Sequence, residues 1–484
     1  MKALYTLALV FVFTCVVQGQ NWVCSVSGNS NITQDCTVPL SAAPTICETL
    51  DECVKLYNIS VQDRESQEIT TTITVQSGDH NATISLDIQH AKHLNIIGNG
   101  TVTISGIDTT RPITILNAKA SIHFENFTLS GESSSEGGCL SVKNSSFDIT
   151  FKKVNFNTCK SQGNGGAVSQ LANAKGSKLV FSECSFVGCT AAVQEDGLGG
   201  AISGQNITVT GGTFSGNSAA KGGALYVVNQ WHIESSTFDK NTAEKDGGAL
   251  WVNTAAYTTS VTDCTFTNNK ATNNGGAIYV QKTGTFRVFS SCLIEGNTAV
   301  ANGGGVYITA GSNPGWEYFF DTKIQHNSAV NGGGVYIDSK KMADIELVEC
   351  TVFNNSASTA GGGLYIINSP SLYFSNQAKL IDNAVNGKYS LEANVHCGAG
   401  SDDSCRPNCG VPQSSSKFSC SDCIPVRDAK NKRTGALSAC SISSHSGSVS
   451  CYYPYWNFEC KSGKSCNLKQ IKHKGKPAWQ RKCK

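Results

Sequence analysis

One aromatic residue recurs in each of the last six repeats of the chain, and these rings are the first candidates for ligand contact. Each ring lies between two aliphatic residues, so it points away from the core if the aliphatics point inward. Tyr and Trp combine a flat apolar face with a polar tip, which suits contact with sugar rings. The alternative is that the rings only stack on one another and shield the backbone. The candidates are Tyr226, Trp251, Tyr279, Tyr307, Tyr336 and Tyr365.

A sparser row of carboxylates is the second candidate. A calcium-dependent polysaccharide lyase needs an acidic cluster together with an Arg or Lys base. Ser235 and Ser291 interrupt the acidic row, and no basic residue recurs beside it. We therefore predict neither a metal nor a cofactor. The row consists of Glu183, Asp263, Asp321 and Glu349.

Other enzyme motifs are missing from the sequence. Inverting glycosidases need a carboxylic acid and a carboxylate base in one cleft, but the single Asp-Asp pair, Asp402-Asp403, falls outside the repeats and Gly-His-Gly does not occur. There is also no nucleophile elbow, phosphate loop or His-Glu-x-x-His phrase. We expect a non-catalytic protein, with a lyase or hydrolase acting on an acidic polysaccharide as the alternative.

The element that must position these residues is a repeat of about 28 residues. A phrase of two glycines, a tiny residue, an aliphatic residue, an aromatic residue and Val or Ile recurs as GGALYV, GGALWV, GGAIYV, GGGVYI and GGGLYI, with weaker copies upstream. Nine copies begin at Gly137, Gly165, Gly199, Gly222, Gly247, Gly275, Gly303, Gly332 and Gly361. Alternation over so short a run predicts a half-buried strand, and the glycines predict a tight corner.

A second phrase lies between the glycine phrases and contains a bulky apolar residue followed, three residues later, by Asn. Each period therefore holds at least two short strands and two corners, without a helical segment. Strands that pair with their equivalents in the next turn form a parallel β-helix. The asparagines would stack as a ladder of side-chain amides. They are Asn217, Asn241, Asn269, Asn297, Asn327 and Asn355.

The paired GGA[ILV] and FxxN phrases resemble the repeats of the chlamydial polymorphic outer-membrane proteins over residues 137–385. This resemblance implies a right-handed parallel β-helix of the pectin-lyase type. It also implies a surface adhesin with a C-terminal membrane barrel, and here the chain departs from the family because its C-terminus is Cys-rich and basic. The chain looks more like a secreted eukaryotic protein with such repeats.

The sequence at the two ends of the chain predicts a secreted protein that is divided into four regions. Residues 1–19 have Lys2 and a short apolar run, which is typical of a signal peptide, and we expect no transmembrane segment. We expect an N-terminal cap at 20–66 with a capping helix that begins near Thr45, a β-helix at 67–396 and a Cys-rich basic module at 397–484. Glycosylation candidates are Asn31, Asn58, Asn81, Asn99, Asn126, Asn144, Asn206 and Asn354.

The cysteines predict disulfides. Of 22, Cys15 leaves with the signal peptide, so an odd number remains, which allows a disulfide-linked oligomer. Cys264 and Cys292 occupy the same position one turn apart and are a predicted pair. Cys159 and Cys189 replace the ladder Asn in neighbouring turns and are a second predicted pair.

Charge is divided unevenly between the regions. Residues 397–484 carry 15 Lys and Arg against 5 Asp and Glu, whereas residues 20–396 carry 22 against 31. A basic C-terminus favours a polyanionic partner, and a solubilising tail is the alternative. We expect a secreted protein of the cell surface or matrix that binds polysaccharide or glycoprotein glycan and no specific nucleic acid. A purely structural, disulfide-linked matrix protein is the remaining alternative.

Overall fold

The computed structural model describes residues 70–397 apart from short gaps at 82, 88–92, 171–176, 194–195, 255–258, 283–286, 311–315, 340–343, 368–371, 376–377 and 390. Outside that range it describes six short strands: Thr14–Val17, Lys417–Ser419, Ser441–Ile442, Val449–Ser450, Cys466–His473 and Lys476–Cys483. The predicted capping helix, most of the predicted signal peptide and most of the predicted Cys-rich module lie outside the described residues.

Within residues 70–385, and again at Val395–Cys397, the strands pair in parallel with their equivalents in the neighbouring turn, which confirms the predicted parallel β-helix. Two compact units are present: residues 1–254 with 264–272 form the first unit, and residues 255–263 with 273–484 form the second. Within each unit a turn contributes one strand to sheet A, one to sheet B, one to sheet C and a short strand to sheet D. The glycine phrase leads into sheet A, and the FxxN phrase forms sheet C and the corner that follows it.

The first unit contains the following strands. Sheet A has Ile84–Asp87, Ile113–Leu116, Leu140–Lys143, Val168–Gln170, Ile202–Thr210, Leu225–Glu234 and Leu250–Thr254. Sheet B has Thr70–Asn81, His93–Ser105, Ser121–Ser130, Ile149–Asn157, Leu179–Ser182 and the distal halves of Ile202–Thr210 and Leu225–Glu234. Sheet C has the end of Ile149–Asn157, Ser185–Val187, Thr213–Ser215, Thr237–Asp239 and Thr265–Thr267. Sheet D has Glu132–Ser133, Lys160–Ser161, Ser218–Lys221, Thr242–Asp246 and Lys270–Ala271.

The second unit repeats this plan. Sheet A has Ile278–Lys282, Val306–Ala310, Val335–Ser339, Leu364–Ile367 and Val395–Cys397. Sheet B has Thr259–Thr262, Arg287–Ser290, Trp316–Phe320, Asp344–Val348 and Leu372–Ser375. Sheet C has Leu293–Glu295, Lys323–Gln325, Thr351–Phe353 and Lys379–Ile381, with Lys417–Ser419 added antiparallel. Sheet D has Thr298–Ala299, Ser328–Asn331, Ser356–Ala360 and Ala384–Val385, which turns back as Lys388–Tyr389. One helical turn, Leu391–Asn394, precedes the last strand of sheet A.

The core of each unit is built from in-register columns because every turn places the same residue type at the same point. In the first unit a straight column of phenylalanine rings lies behind sheet C. Neighbouring centroids are 4.6 to 4.7 Å apart, and the planes differ by 2 to 4°. Offset stacking adds to the apolar burial of these rings. The column contains Phe156, Phe186, Phe214, Phe238 and Phe266.

The asparagine ladder predicted from the FxxN phrase is present in both units. In the first unit, the backbone N–H and the Nδ2 of Asn217 both donate to Oδ1 of Asn241, at 3.0 and 2.9 Å. The same Nδ2 also donates to the carbonyl of Phe186 at 3.0 Å. The pattern satisfies polar groups that are fully buried at each corner. In the second unit the ladder runs through Asn297, Asn327, Asn355, Asn383 and Asn394.

Candidate functional site: outward columns of side chains

The predicted aromatic residues form stacked columns on the outer side of sheet A. In the second unit, Tyr279, Tyr307, Tyr336 and Tyr365 follow one another at 5.0, 5.0 and 4.9 Å between ring centroids. His396 ends this column 4.9 Å from Tyr365. The ring planes of the tyrosines differ by 4 to 10°, so each ring face is covered by its neighbour. The column therefore offers ring edges, rather than ring faces, to any ligand.

These rings are more deeply buried than the rings of an open sugar-binding platform would be. Trp251 is 4% exposed and Tyr336 is 8% exposed, whereas Tyr226, Tyr279 and Tyr307 are half-buried. In the first unit Tyr226 stacks on Trp251 at 4.3 Å. Burial raises the pKa of Tyr226. Burial, assisted by Tyr365 and Asp338, raises the pKa of Tyr336 to about 12, so this phenol stays protonated at neutral pH.

The glycine phrase makes room for the rings. Gly222 has a φ of +61°, and a Cβ placed there would lie 2.1 Å from the Leu225 oxygen and 3.2 Å from the Trp251 Cβ. At Gly332 the φ is +63°, and a Cβ would lie 2.9 Å from the Tyr336 Cβ. Only glycine adopts this left-handed turn without strain while the backbone passes so close to the aromatic residue. The glycine phrase therefore determines both the conformation of the corner and the position of the aromatic residue beside it.

The acidic row occupies corners between sheets B and C. Each of its residues is exposed and has a positive φ, between 45 and 57°. Ser235 and Ser291 take the same corner conformation where the row is interrupted, at 50 and 54°. Within the described ranges, no group of three or more His, Cys, Asp or Glu side chains is arranged to hold a metal ion. The members are Glu183, Asp263, Asp321 and Glu349.

One exposed array was missed by the sequence reasoning. On the outer side of sheet C in the first unit, one residue per turn lies in register in the column Asn155, Ser185, Thr213, Thr237 and Thr265. Every member is exposed or half-buried. The available signal was the hydroxyl residue that precedes the phenylalanine in Ser185-Phe186, Thr213-Phe214, Thr237-Phe238 and Thr265-Phe266. We call this surface the hydroxyl face.

The predicted pair Cys159–Cys189 is wrong. Cys159 is bonded to Cys139, with Cα atoms 5.5 Å apart. Cys189 is a buried thiol whose backbone N–H donates to Oδ1 of Asn217 at 2.9 Å, so it does stand at the ladder position. Residues in register on parallel strands have parallel Cβ directions and Cβ atoms about 4.8 Å apart, which exceeds the ~3.5–4.5 Å of a disulfide.

The predicted Cys264–Cys292 disulfide is not formed either. Both residues are buried thiols. The Sγ of Cys264 donates to the Ile233 carbonyl at 3.6 Å, and the Sγ of Cys292 donates to the Val261 carbonyl at 3.5 Å, each inside its own unit. Cys350 is also a buried thiol. These side chains serve as small apolar residues with a weak donor.

Six of the eight glycosylation candidates fall in the described residues. Asn81, Asn99, Asn126 and Asn144 are exposed, whereas Asn206 and Asn354 are half-buried. Asn31 and Asn58 lie outside the described residues. No helix in the part that the structure describes is long and apolar enough to cross a membrane.

The match to a family model agrees with the architecture of the repeats. Residues 138–327 match the family model described as a right handed beta helix region. The probable outer membrane protein PmpA of Chlamydia trachomatis serovar D is 28% identical over 190 residues, which cover 34% of this chain and 18% of that protein. Tailspike protein 3 of bacteriophage CBA120 is 12% identical, with a TM-score of 0.35, over 78% of this chain and 61% of that one. The chain thus spans less than two thirds of each relative. The repeats of this chain form a right-handed parallel β-helix, and part of the chain is similar in sequence to the chlamydial protein PmpA.

Proposed function

We propose that the protein is a secreted, non-catalytic β-helix protein that binds glycan or extracellular matrix. Likeness to an outer-membrane protein is compatible with a place at a surface. A β-helix presents the same kind of side chain once per turn, so a polymer that lies along the column can meet an equivalent group at each of its own repeats. This periodicity is what distinguishes the molecule from a protein with one compact pocket.

The observation that carries the proposal is the tyrosine column of the second unit. Its ring spacing of 4.9 to 5.0 Å is close to the length of one sugar residue in an extended polysaccharide. Tyr279, Tyr307 and Tyr365 keep part of their surface exposed. Because neighbouring rings cover one another's faces, contact would use ring edges and phenol hydroxyls, which both donate and accept hydrogen bonds.

The test is retention of the full chain on cellulose, chitin, pectate and heparin matrices. Changing Tyr279, Tyr307 and Tyr365 together to Phe keeps the stack and removes three hydroxyls, so retention should fall about tenfold, and replacement by Ala should lower it further. Tyr389→Ala is the matched control, since Tyr389 is exposed outside the column. Unchanged retention in the Ala variant would contradict binding through the column. Released unsaturated or reducing sugars would contradict the non-catalytic assignment.

A purely structural role is the second candidate, and the burial of Trp251 and Tyr336 favours it. In that case the columns only hold turns together and an unpaired cysteine links chains. The protein would then be retained on none of the matrices, and it would run as a dimer on non-reducing gels and as a monomer after reduction.

A further inference from the structure

The hydroxyl face is a regular array of hydrogen-bonding groups. Its first column, Asn155, Ser185, Thr213, Thr237 and Thr265, offers an amide or a hydroxyl at every turn. These groups both donate and accept hydrogen bonds, as sugar hydroxyls do. Two residues further along each strand a second outward column runs in register with the first: Asn157, Val187, Ser215, Asp239 and Thr267.

The charge of the hydroxyl face comes from the Asp239 carboxylate, which already has hydrogen-bond and ion-pair partners within the protein. Thr267 Oγ1 donates to Oδ1 of Asp239 at 2.9 Å, and Nδ2 of Asn268 donates to the same oxygen at 3.1 Å. Lys240 Nζ lies 3.3 Å from the other oxygen. Asp239 is the only charged residue in the two columns. A polyanion would gain nothing from these columns, in contrast to the basic residues of 397–484.

The backing of the face fixes its spacing. Directly behind it lie the stacked rings from Phe156 to Phe266, at 4.6 to 4.7 Å per turn and within 4° of parallel. The ladder that ends each of these strands, from Asn217 through Asn241 to Asn269, holds the corners. A face that is rigid before binding loses little conformational entropy on binding. Threonine is also stiff at χ1, so its hydroxyl keeps few orientations.

We infer that the hydroxyl face binds an uncharged polysaccharide that lies parallel to the axis, about one sugar residue per turn. The inference rests on the proposed function for its ligand class and assigns that class to a second surface, on the first unit. Here the contact is a row of hydrogen bonds from hydroxyl and amide groups, without aromatic rings.

The test uses the full chain on cellulose and chitin in salt that screens exposed charges. Changing Thr213, Thr237 and Thr265 together to Val keeps shape and β-branching but removes three hydroxyls, so retention should fall about tenfold or more. The same positions changed to Ser restore the hydroxyls and should keep most of the retention. Thr208→Val with Thr210→Val is the control, because these threonines point outward from sheet B of the same unit.

The outcomes separate this inference from the proposed function. Loss in the Val variant with rescue by Ser supports the inference. Retention that survives the Val variant but falls in the tyrosine variants would overturn it while leaving glycan binding in place. Failure of the unaltered protein on every matrix would overturn both. Shaping of ice crystals by the unaltered protein, lost in the Val variant and without polysaccharide retention, would assign the array to ordered water and overturn the inference.

Discussion

Asn241 Nδ2 donates to Asn269 Oδ1 at 3.0 Å, and the Asn241 backbone N–H donates to the same oxygen at 2.9 Å. The Asn269 amide oxygen thus satisfies two donors of the preceding turn, while its own Nδ2 donates to the Phe238 carbonyl at 3.0 Å. The link couples neighbouring corners, so the stability of a turn depends on the turn beside it.

Removal of one rung should therefore cost more than one hydrogen bond. In the second unit, Asn327 accepts from Asn297 and donates to the Ile294 carbonyl and Asn355 Oδ1. Asn327→Ala leaves several buried groups unsatisfied, and we expect a loss on the order of 3 kcal/mol in the free energy of unfolding. Denaturant midpoints measure it. Asn273→Ala, at an exposed position of the same unit without a positive φ, should change the midpoint little, and equal effects of the two substitutions would contradict a stabilising ladder.

Substitution of two glycines that have nearly equal φ distinguishes the cost of a steric clash from the cost of backbone strain. Gly216 has a φ of +63°, and a Cβ at this position would have no neighbouring atom within 4 Å, whereas Gly222 has a φ of +61° and its Cβ would lie 2.1 Å from the Leu225 oxygen. Gly216→Ala should cost only the left-handed penalty, about 1–2 kcal/mol. Gly222→Ala should cost several kcal/mol, on the order of 4, because the backbone must shift. Similar thermal midpoints for the two variants would show that the close approach at Gly222 is unimportant.

The buried thiols should be inert in the folded protein. Burial raises the pKa of Cys184 to about 11 and of Cys350 to about 12. Because the thiolate is the reactive form, iodoacetamide at pH 8 should label both residues only after denaturation. Their raised folded pKa values also mean that the stability they contribute is complete below about pH 9 and is lost as the pH rises towards 12. Peptide mass spectrometry gives the labelling, and rapid labelling of Cys350 in the native state would contradict its burial.

Tyr336 should titrate late. Its pKa of about 12 lies above the ordinary value because burial disfavours the phenolate, so the stability linked to it is present below about pH 10 and falls as the pH approaches 12. Phenolate absorbance of the unaltered protein minus that of Tyr336→Phe isolates this group. A difference curve with its midpoint at or below pH 10 would indicate an exposed hydroxyl at this position.

The repeat architecture could be predicted because its signals are local. The alternation around Tyr307 and the Asn three residues after a bulky apolar residue each determine a strand or a corner without knowledge of the next turn. Burial could not be predicted in this way. The exposure of Tyr336 depends on the rings of Tyr307 and Tyr365, which cover its two faces, and this is a property of neighbouring turns.

The disulfide and the hydroxyl face were missed for different physical reasons. A Cα separation admits the Cys159–Cys189 pair, but bond formation also needs converging Cβ directions, which register on parallel strands does not supply. The sequence alone does not single out Thr213 and Thr237, because a polar residue on a strand is ordinary by itself. They form an array only because the strands of neighbouring turns pair in register, which places Thr213 beside Thr237.

The asparagine ladder also affects the chemical lifetime of the protein. Asparagine deamidates when the backbone nitrogen of the following residue attacks the side-chain amide carbon. Asn-Ser sequences such as Asn355-Ser356 are prone to this reaction. Here the Asn355 amide is held by Ile324 and Asn383, and the Ser356 N–H donates to the Asn327 carbonyl at 2.9 Å. Neither reactant can reach the other without opening the turn. The hydrogen bonds that hold the turns together should therefore also slow spontaneous deamidation, which would matter for a protein that persists without replacement.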